Sequence, residues 1–163
     1  MKARISLVLL MILCGCFAKD PVRTGHEGNT LPAFSMLLSD SISHLNTNNI
    51  PASSSVVFFY FGPYCPYSRA QMDEIVNNID KLKDIHFYLL TYTPYAQMKD
   101  FYNHYNLNRY SNITVGIDDT KFFQHYFSLE GVPFLAVYGK DKKLRKAFMG
   151  EVKAKQINQS AVE

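Results

Sequence analysis

The hydrophobic pattern of the chain centres on an unbroken apolar run at residues 56–61. The run is rich in aromatic and β-branched residues, which is typical of a buried strand. A Gly-Pro pair ends the strand, and apolar residues then recur at helical spacing over residues 66–82. Pro66 suits the first position of a helix, because its missing N–H would have no partner there anyway. The pattern predicts a buried strand followed directly by a helix, with Cys65 at the junction.

The remaining chain alternates strand-like and helix-like segments. Two short apolar segments before the central strand predict an N-terminal β-hairpin. Thr93 is a predicted helix N-cap, and either Asp118 or Asp119 is predicted to cap a later short helix. Strands that alternate with helices and end in a hairpin indicate an α/β protein with a mixed central sheet flanked by helices. The predicted strands are residues 34–38, 42–45, 56–61, 85–92, 112–117, 134–138 and 143–149, and the predicted helices are residues 66–82, 94–105, 119–127 and 151–163.

Composition excludes some classes of function. The 163 residues make a one-domain length, and a hydrophobic content of 47% is enough for a real core. The formal charge of +3 falls to +1 without Lys2 and Arg4, which gives no electrostatic case for binding nucleic acid. The five histidines are scattered, and none stands at metal-ligand spacing beside Cys65. We therefore predict no metal and no cofactor.

The first sixteen residues have the pattern of an export signal. A short positive region precedes an apolar run at residues 5–13 that is too short to span a bilayer. The run ends in Leu-Cys-Gly-Cys, which resembles the lipobox of bacterial lipoproteins. This resemblance implies that residues 1–15 are a signal peptide and that Cys16 becomes the lipid-carrying N-terminus. An ordinary secretory signal is the alternative.

The lipobox resemblance also implies a location. Phe17 follows Cys16 where the family's inner-membrane retention signal has aspartate, so we expect a periplasm-facing lipoprotein of the outer membrane. Residues 16–30 are polar and lack periodicity, which predicts a flexible tether. Residues 31–163 are then the folded domain.

The cysteine count singles out one thiol. Cys14 would leave with the signal and Cys16 would be blocked by lipid, so Cys65 alone would remain. Paired cysteines are usual in oxidising compartments, and an unpaired one is either buried and inert or reactive toward other molecules. The free N–H groups and positive dipole end of a helix N-terminus favour a thiolate.

The stretch YFGPYCPYSRAQMD, residues 60–73, together with Val132-Pro133 ahead of the closing hairpin, resembles the thioredoxin fold. More narrowly it resembles the membrane-anchored, TlpA-like thiol–disulfide proteins of bacteria, over about residues 31–150 and including their N-terminal hairpin. The resemblance implies that Cys65 attacks a substrate disulfide. It also implies that Pro133 follows a cis peptide bond and packs against the cysteine, and that the backbone of Val132 binds an extended substrate.

The active stretch departs from the family pattern at several positions. Ser68 replaces the resolving cysteine, and Gln71 replaces the buried acid that accepts its proton. Tyr64 replaces a tryptophan and keeps a flat apolar wall, while Pro66 and Tyr67 complete the loop. Since serine cannot close a disulfide, the resemblance implies monothiol exchange with protein thiols or disulfides. A low-molecular-weight thiol or the substrate's second cysteine would complete the cycle, and the Ser68 hydroxyl could hydrogen-bond the thiolate.

Two alternatives to thiol exchange remain. The chain could be a binding lipoprotein that keeps the fold as a scaffold without catalysis, because fold does not imply function. Peroxidase chemistry through a sulfenic acid is the other alternative. The peroxiredoxin pattern has threonine three residues before its cysteine, where this chain has Gly62, so we do not expect peroxidase activity.

Overall fold

A computed structural model describes residues 18–163. The strands are β1 Ser35–Leu38, β2 His44–Asn46, β3 Ser55–Tyr60, β4 Ile85–Thr91, β5 Ile113–Ile117, β6 Phe134–Tyr138 and β7 Leu144–Met149. The α-helices are α1 Pro66–Asn77, α2 Tyr95–His104, α3 Phe122–Tyr126 and α4 Ala154–Val162. Short 3-10 turns lie at Thr47–Asn49, Ile79–Leu82 and Leu107–Arg109. Within the described range, no helix has both the length and the apolar character needed to cross a bilayer.

All seven strands form one mixed sheet in the order β2-β1-β5-β4-β3-β6-β7. The neighbours β3, β4 and β5 run parallel, and the other pairs are antiparallel. The N-terminal hairpin β1–β2 extends the sheet beside β5. The predicted α/β class, the mixed central sheet flanked by helices and the N-terminal β-hairpin are confirmed.

Strand β3 supplies both hydrophobic cores. All six of its residues are buried, and successive side chains point to opposite faces of the sheet. Val57 and Phe59 lie in the core beneath α1, α2 and α4. Phe58 and Tyr60 lie in the opposite core, which α3 covers. Burial on both faces explains why this segment is an unbroken apolar run and not an alternating one.

The N-cap of α2 differs from the prediction, and for α3 the structure shows which of the two predicted aspartates accepts the capping hydrogen bonds. Pro94, in an extended conformation, is the N-cap of α2 in place of Thr93. The Asp118 carboxylate accepts hydrogen bonds from the backbone N–H groups of Phe122 at 2.8 Å and Phe123 at 2.9 Å. Of the two candidate aspartates, Asp118 therefore supplies the capping acceptor, and Asp119 is exposed. Burial raises the pKa of the Asp118 carboxyl despite these hydrogen bonds.

The polar N-terminal segment is bound along β7. The N–H of Val22 donates to the Ala147 carbonyl at 2.8 Å, and the N–H of Gly28 donates to the Leu144 carbonyl at 2.8 Å. The sequence predicted a flexible tether over residues 16–30, whereas residue 22 and residues 28–30 are bonded to the outer edge of the sheet. The reason is that the free main-chain groups of an edge strand need partners. The predicted signal peptide and Cys16 lie outside the described residues.

Candidate functional site

Cys65 lies at the junction between the central strand and α1. The turn after β3 is closed by a 3.0 Å hydrogen bond from the Cys65 N–H to the Gly62 carbonyl. Cys65 has an extended backbone and is the N-cap residue of α1, and Pro66 occupies the first helical turn. Its side chain is partly exposed. The predicted placement of a cysteine at the head of this helix is confirmed.

A second loop packs against this turn. The Val132–Pro133 peptide bond is cis, as predicted. The Cys65 thiol donates to the Val132 carbonyl with an Sγ–O distance of 3.7 Å, which is a weak contact. A Cβ atom at Gly62 would lie 3.2 Å from both the Cys65 Cβ and the Val132 Cγ2, so a side chain at Gly62 would crowd both. The structure therefore brings Cys65 and Val132 together, with Pro133 next to Val132 in the same loop.

The Ser68 side chain stabilises the turn between β3 and α1. Its side chain is completely buried, and its hydroxyl accepts a hydrogen bond from the Gly62 N–H at 3.2 Å. In the described part of the chain, no hydrogen bond joins the Ser68 hydroxyl to the Cys65 sulfur. The expected contact between the two is thus absent from this geometry. The hydroxyl instead accepts from the Gly62 N–H, the first backbone N–H after β3 that has no partner in the sheet.

Gln71 is paired with backbone and does not reach an open site. Its side chain is completely buried in α1. The Gln71 Nε2 donates to the Val152 carbonyl at 3.2 Å, and its Oε1 accepts from the Val152 N–H at 2.6 Å. A carboxylate could accept the second bond but could not donate the first. The amide at this position therefore ties α1 to the segment that follows β7.

Two exposed tyrosines adjoin the cysteine in the chain. Tyr64 is 58% exposed and Tyr67 is 64% exposed, so both rings face solvent. The Tyr64 hydroxyl donates to the Asp100 carboxylate at 2.9 Å, and this hydrogen bond raises the pKa of Tyr64. The Arg69 guanidinium lies 5.8 Å from the Tyr64 ring centroid. Together these contacts restrain the orientation of the exposed Tyr64 ring.

Sequence reasoning missed a small cavity beside the second loop. Its volume is about 80 Å³, and Tyr60, Gln124 and Val132 are among the residues that line it. The sequence placed Tyr60 in the buried strand, where its ring does lie. The sequence pattern does not show that the Tyr60 hydroxyl lacks a hydrogen-bond partner, because its surroundings depend on how α3 and the loop before β6 pack against β3. The full lining is Tyr60, Tyr92, Gln124, Leu129, Glu130, Gly131 and Val132.

Among residues 18–163, no three His, Cys, Asp or Glu side chains stand close enough to hold a metal ion. His86 instead shares a 2.8 Å hydrogen bond with the Thr114 hydroxyl, and burial lowers its pKa.

Comparison with known proteins shows the fold. No family model matches the chain, and no curated protein sequence matches it. A solved structure of a peroxidoxin from Mycobacterium tuberculosis matches with a TM-score of 0.69 at 12% identity, covering 83% of this chain and 96% of that one. The thioredoxin domain of a thiol–disulfide oxidoreductase from Bacteroides vulgatus matches with a TM-score of 0.65 at 13% identity, covering 82% and 94%. A secreted disulfide oxidoreductase from Mycobacterium tuberculosis matches with a TM-score of 0.62 at 16% identity, covering 78% and 91%. The chain has the thioredoxin-like fold.

The pairing of Gln71 with Val152 predicts a pH-dependent defect in Gln71→Glu. The new carboxylate would be buried and would face the Val152 carbonyl, so burial raises its folded-state pKa above the unfolded value of about 4.3. At pH 7 we expect the free energy of unfolding to fall by about 2–4 kcal/mol. A protonated glutamic acid can donate to the carbonyl. The loss should therefore be absent below about pH 4 and should grow as pH rises through the folded-state pKa.

Urea unfolding of Gln71→Glu from pH 4 to pH 8 measures this effect. Gln159→Glu is the matched control, because Gln159 is exposed on α4 and the same charge change there stays in water. An equal and pH-independent effect in both variants would contradict the role assigned to the Gln71 amide.

Proposed function

We propose that this chain carries out monothiol thiol–disulfide exchange on protein substrates, with Cys65 as the nucleophile. The observation that carries the proposal is a partly exposed cysteine at the N-cap of α1, whose sulfur lies 3.7 Å from the Val132 carbonyl of the cis-proline loop. Solved structures with the same fold include proteins described as disulfide oxidoreductases. A thiolate at a helix N-terminus is both stabilised and accessible, which are the two requirements for attack on a disulfide.

The proposed reaction has two exchange steps. The Cys65 thiolate attacks one sulfur of a substrate disulfide, so that a mixed disulfide forms and the substrate's other sulfur leaves as a thiolate that takes up a proton. A second thiolate then attacks the mixed disulfide and releases Cys65. Ser68 cannot supply that second thiolate. It must come from the substrate's other cysteine or from a low-molecular-weight thiol.

The groups around Cys65 suit an extended polypeptide. The Val132 backbone is the proposed pairing partner for the substrate main chain, and Pro133 holds that loop against the thiol. The exposed rings of Tyr64 and Tyr67 offer apolar surface on the other side. Extended peptides bind by main-chain hydrogen bonds that leave specificity to side-chain pockets. This arrangement supports a polypeptide substrate over a small molecule.

We also propose that the protein is a lipoprotein of the periplasmic space. The lipobox-like residues 13–16 support cleavage before Cys16 and its lipidation, and Phe17 favours the outer membrane. Thiol–disulfide exchange needs substrate disulfides, and these form in oxidising compartments such as the periplasm.

A non-catalytic binding lipoprotein is the second candidate. The observation that favours it is that Ser68 and Gln71 are completely buried and hydrogen-bonded to backbone. Both positions that would serve a dithiol cycle have thus become structural. In this candidate the redoxin fold presents its aromatic surface to a partner and the thiol plays no part.

Cys65→Ser separates the two candidates. We expect the wild type to reduce a mixed disulfide between a peptide and glutathione in the presence of excess glutathione, and we expect the variant to fall to the uncatalysed rate. Second-order rate constants measure this, and the chain with Cys65 blocked by iodoacetamide is a second inactive sample. Equal rates for wild type and Cys65→Ser would leave only the non-catalytic candidate.

Ser68→Cys should create a dithiol site. Residue 68 lies one helical turn after Cys65 and is buried beneath the same turn, so the new thiol should form a disulfide with Cys65 under oxidising conditions. Insulin reduction with a dithiol reductant should increase over wild type, and mass spectrometry should find the disulfide. Ser160→Cys is the matched control, since Ser160 is equally buried in α4 but lies at the opposite end of β3 near Ala161. A disulfide that fails to form in Ser68→Cys would contradict the assigned geometry.

Cys16→Ser tests the lipid anchor. In an outer-membrane bacterium that expresses the full chain, the wild type should incorporate labelled palmitate and sediment with membranes. The variant should lose both properties. Cys14→Ser is the control, because Cys14 lies in the part expected to be cleaved and the variant should still be lipidated. Palmitate incorporation that survives in Cys16→Ser would exclude this residue as the anchor.

A further inference from the structure

The cavity beside Val132 contains two polar atoms with no partner. The Tyr60 hydroxyl and the Gln124 Oε1 are both buried, and neither has a hydrogen-bond partner among the described residues. Tyr60 is only 1% exposed, and both residues line the cavity of about 80 Å³. A buried polar group without a partner is costly, so such groups usually face a ligand or ordered water. Because the Tyr60 hydroxyl and the Gln124 Oε1 line the same cavity, this cavity is suited to bind a group that forms hydrogen bonds.

The polar and charged groups around the cavity indicate the chemistry of the group that it would bind. The Tyr60 hydroxyl stays protonated, because burial and the nearby Asp118 carboxylate raise its pKa. The Gln124 Oε1 is an acceptor, and Glu130 is exposed in the lining. The Lys121 ammonium lies 5.6 Å from the ring centroid of Tyr92, which is one of the lining residues. The wall offers one donor–acceptor hydroxyl and one acceptor with charges of both signs nearby, which suits a neutral group that both donates and accepts.

The position of the cavity relates it to the cysteine. Val132 lines the cavity, and its carbonyl oxygen is 3.7 Å from the Cys65 sulfur. Consecutive residues of a polypeptide are separated by about 3.8 Å between Cα atoms. A substrate whose cysteine meets Cys65 while its backbone runs along Val132 therefore brings a neighbouring side chain to the cavity mouth.

We propose that this cavity is a specificity subsite that takes a short, neutral, hydrogen-bonding side chain, such as threonine, serine or asparagine, next to the reacting cysteine of the substrate. Tyr60 and Gln124 bind its polar group. The inference rests on the proposed function only for the position of the substrate cysteine. A site that holds a water needs about 10–15 Å³ of such volume, so the cavity has room for the polar end of a short side chain.

Matched peptides test the subsite. One hexapeptide has threonine on both sides of its single cysteine, and the other has valine, which has nearly the same shape without the hydroxyl. Each is coupled as a disulfide to 5-thio-2-nitrobenzoate, whose release is followed by absorbance. We expect wild type to react about 3- to 10-fold faster with the threonine peptide, as one or two net hydrogen bonds imply.

Three variants locate the effect. Tyr60→Phe removes only the hydroxyl and should bring the threonine-to-valine rate ratio to about 1, and Gln124→Leu should lower it as well. Tyr88→Phe is the matched control, since it removes a tyrosine hydroxyl from the same core but does not line the cavity. Its ratio should equal that of wild type. A wild-type ratio near 1, or a ratio unchanged in Tyr60→Phe, overturns the subsite.

Binding without chemistry separates this inference from the proposed function. Cys65→Ser is titrated with the two peptides carrying alanine in place of cysteine, and we expect the threonine peptide to bind about 3- to 10-fold more tightly. If wild type exchanges no disulfide but this preference holds, the function is wrong and the subsite stands. If exchange proceeds with equal binding of both peptides, or with no measurable binding of either, the subsite is wrong and the function stands.

Discussion

The pairing register between β3 and β6 is the constraint on which the site depends. Tyr60, the last residue of β3, lies opposite Phe134, the first residue of β6. Because the two strands are antiparallel, the C-terminal end of β3 and the N-terminal end of β6 lie at the same end of the sheet. This places the turn with Cys65 beside the loop with Pro133. A shift by one residue would turn every side chain of β3 to the other face, so both cores hold this register in place.

Two buried polar side chains of α1 stabilise the turn that holds Cys65. Ser68 accepts the Gly62 N–H, and Gln71 satisfies both polar backbone groups of Val152. The Gln71 amide has both its donor and its acceptor paired in this buried position, which a carboxylate could not achieve. The turn therefore remains in place for reasons of stability alone. The thiol exchange proposed for Cys65 would use this geometry but is not needed to maintain it.

Sequence patterns were sufficient for the central elements and for the position of Cys65 beside the Val132 loop. The apolar run of β3, Pro66 at the start of α1 and Val132-Pro133 before β6 are local signals, and each element lies where it was predicted. The pairing of residues 22 and 28–30 with β7 and the turn before it was not predictable, because it is a backbone contact across more than a hundred residues that any polar segment can make. The partners of Ser68 were missed for a similar reason: a hydroxyl serves many acceptors and donors, and only the packed turn selects the Gly62 N–H.

The segment before residue 31 has a consequence for self-association. Open sheet edges can add strands from other molecules, and natural proteins cover or interrupt them. Here Val22, Gly28 and Leu31 donate to the main chain of β7 and of the turn before it, so the chain shields its own sheet at that side. The opposite edge is β2, which has three residues. A domain trimmed to begin at residue 31 would expose β7 as a template for intermolecular strand addition, although it would retain every residue around Cys65.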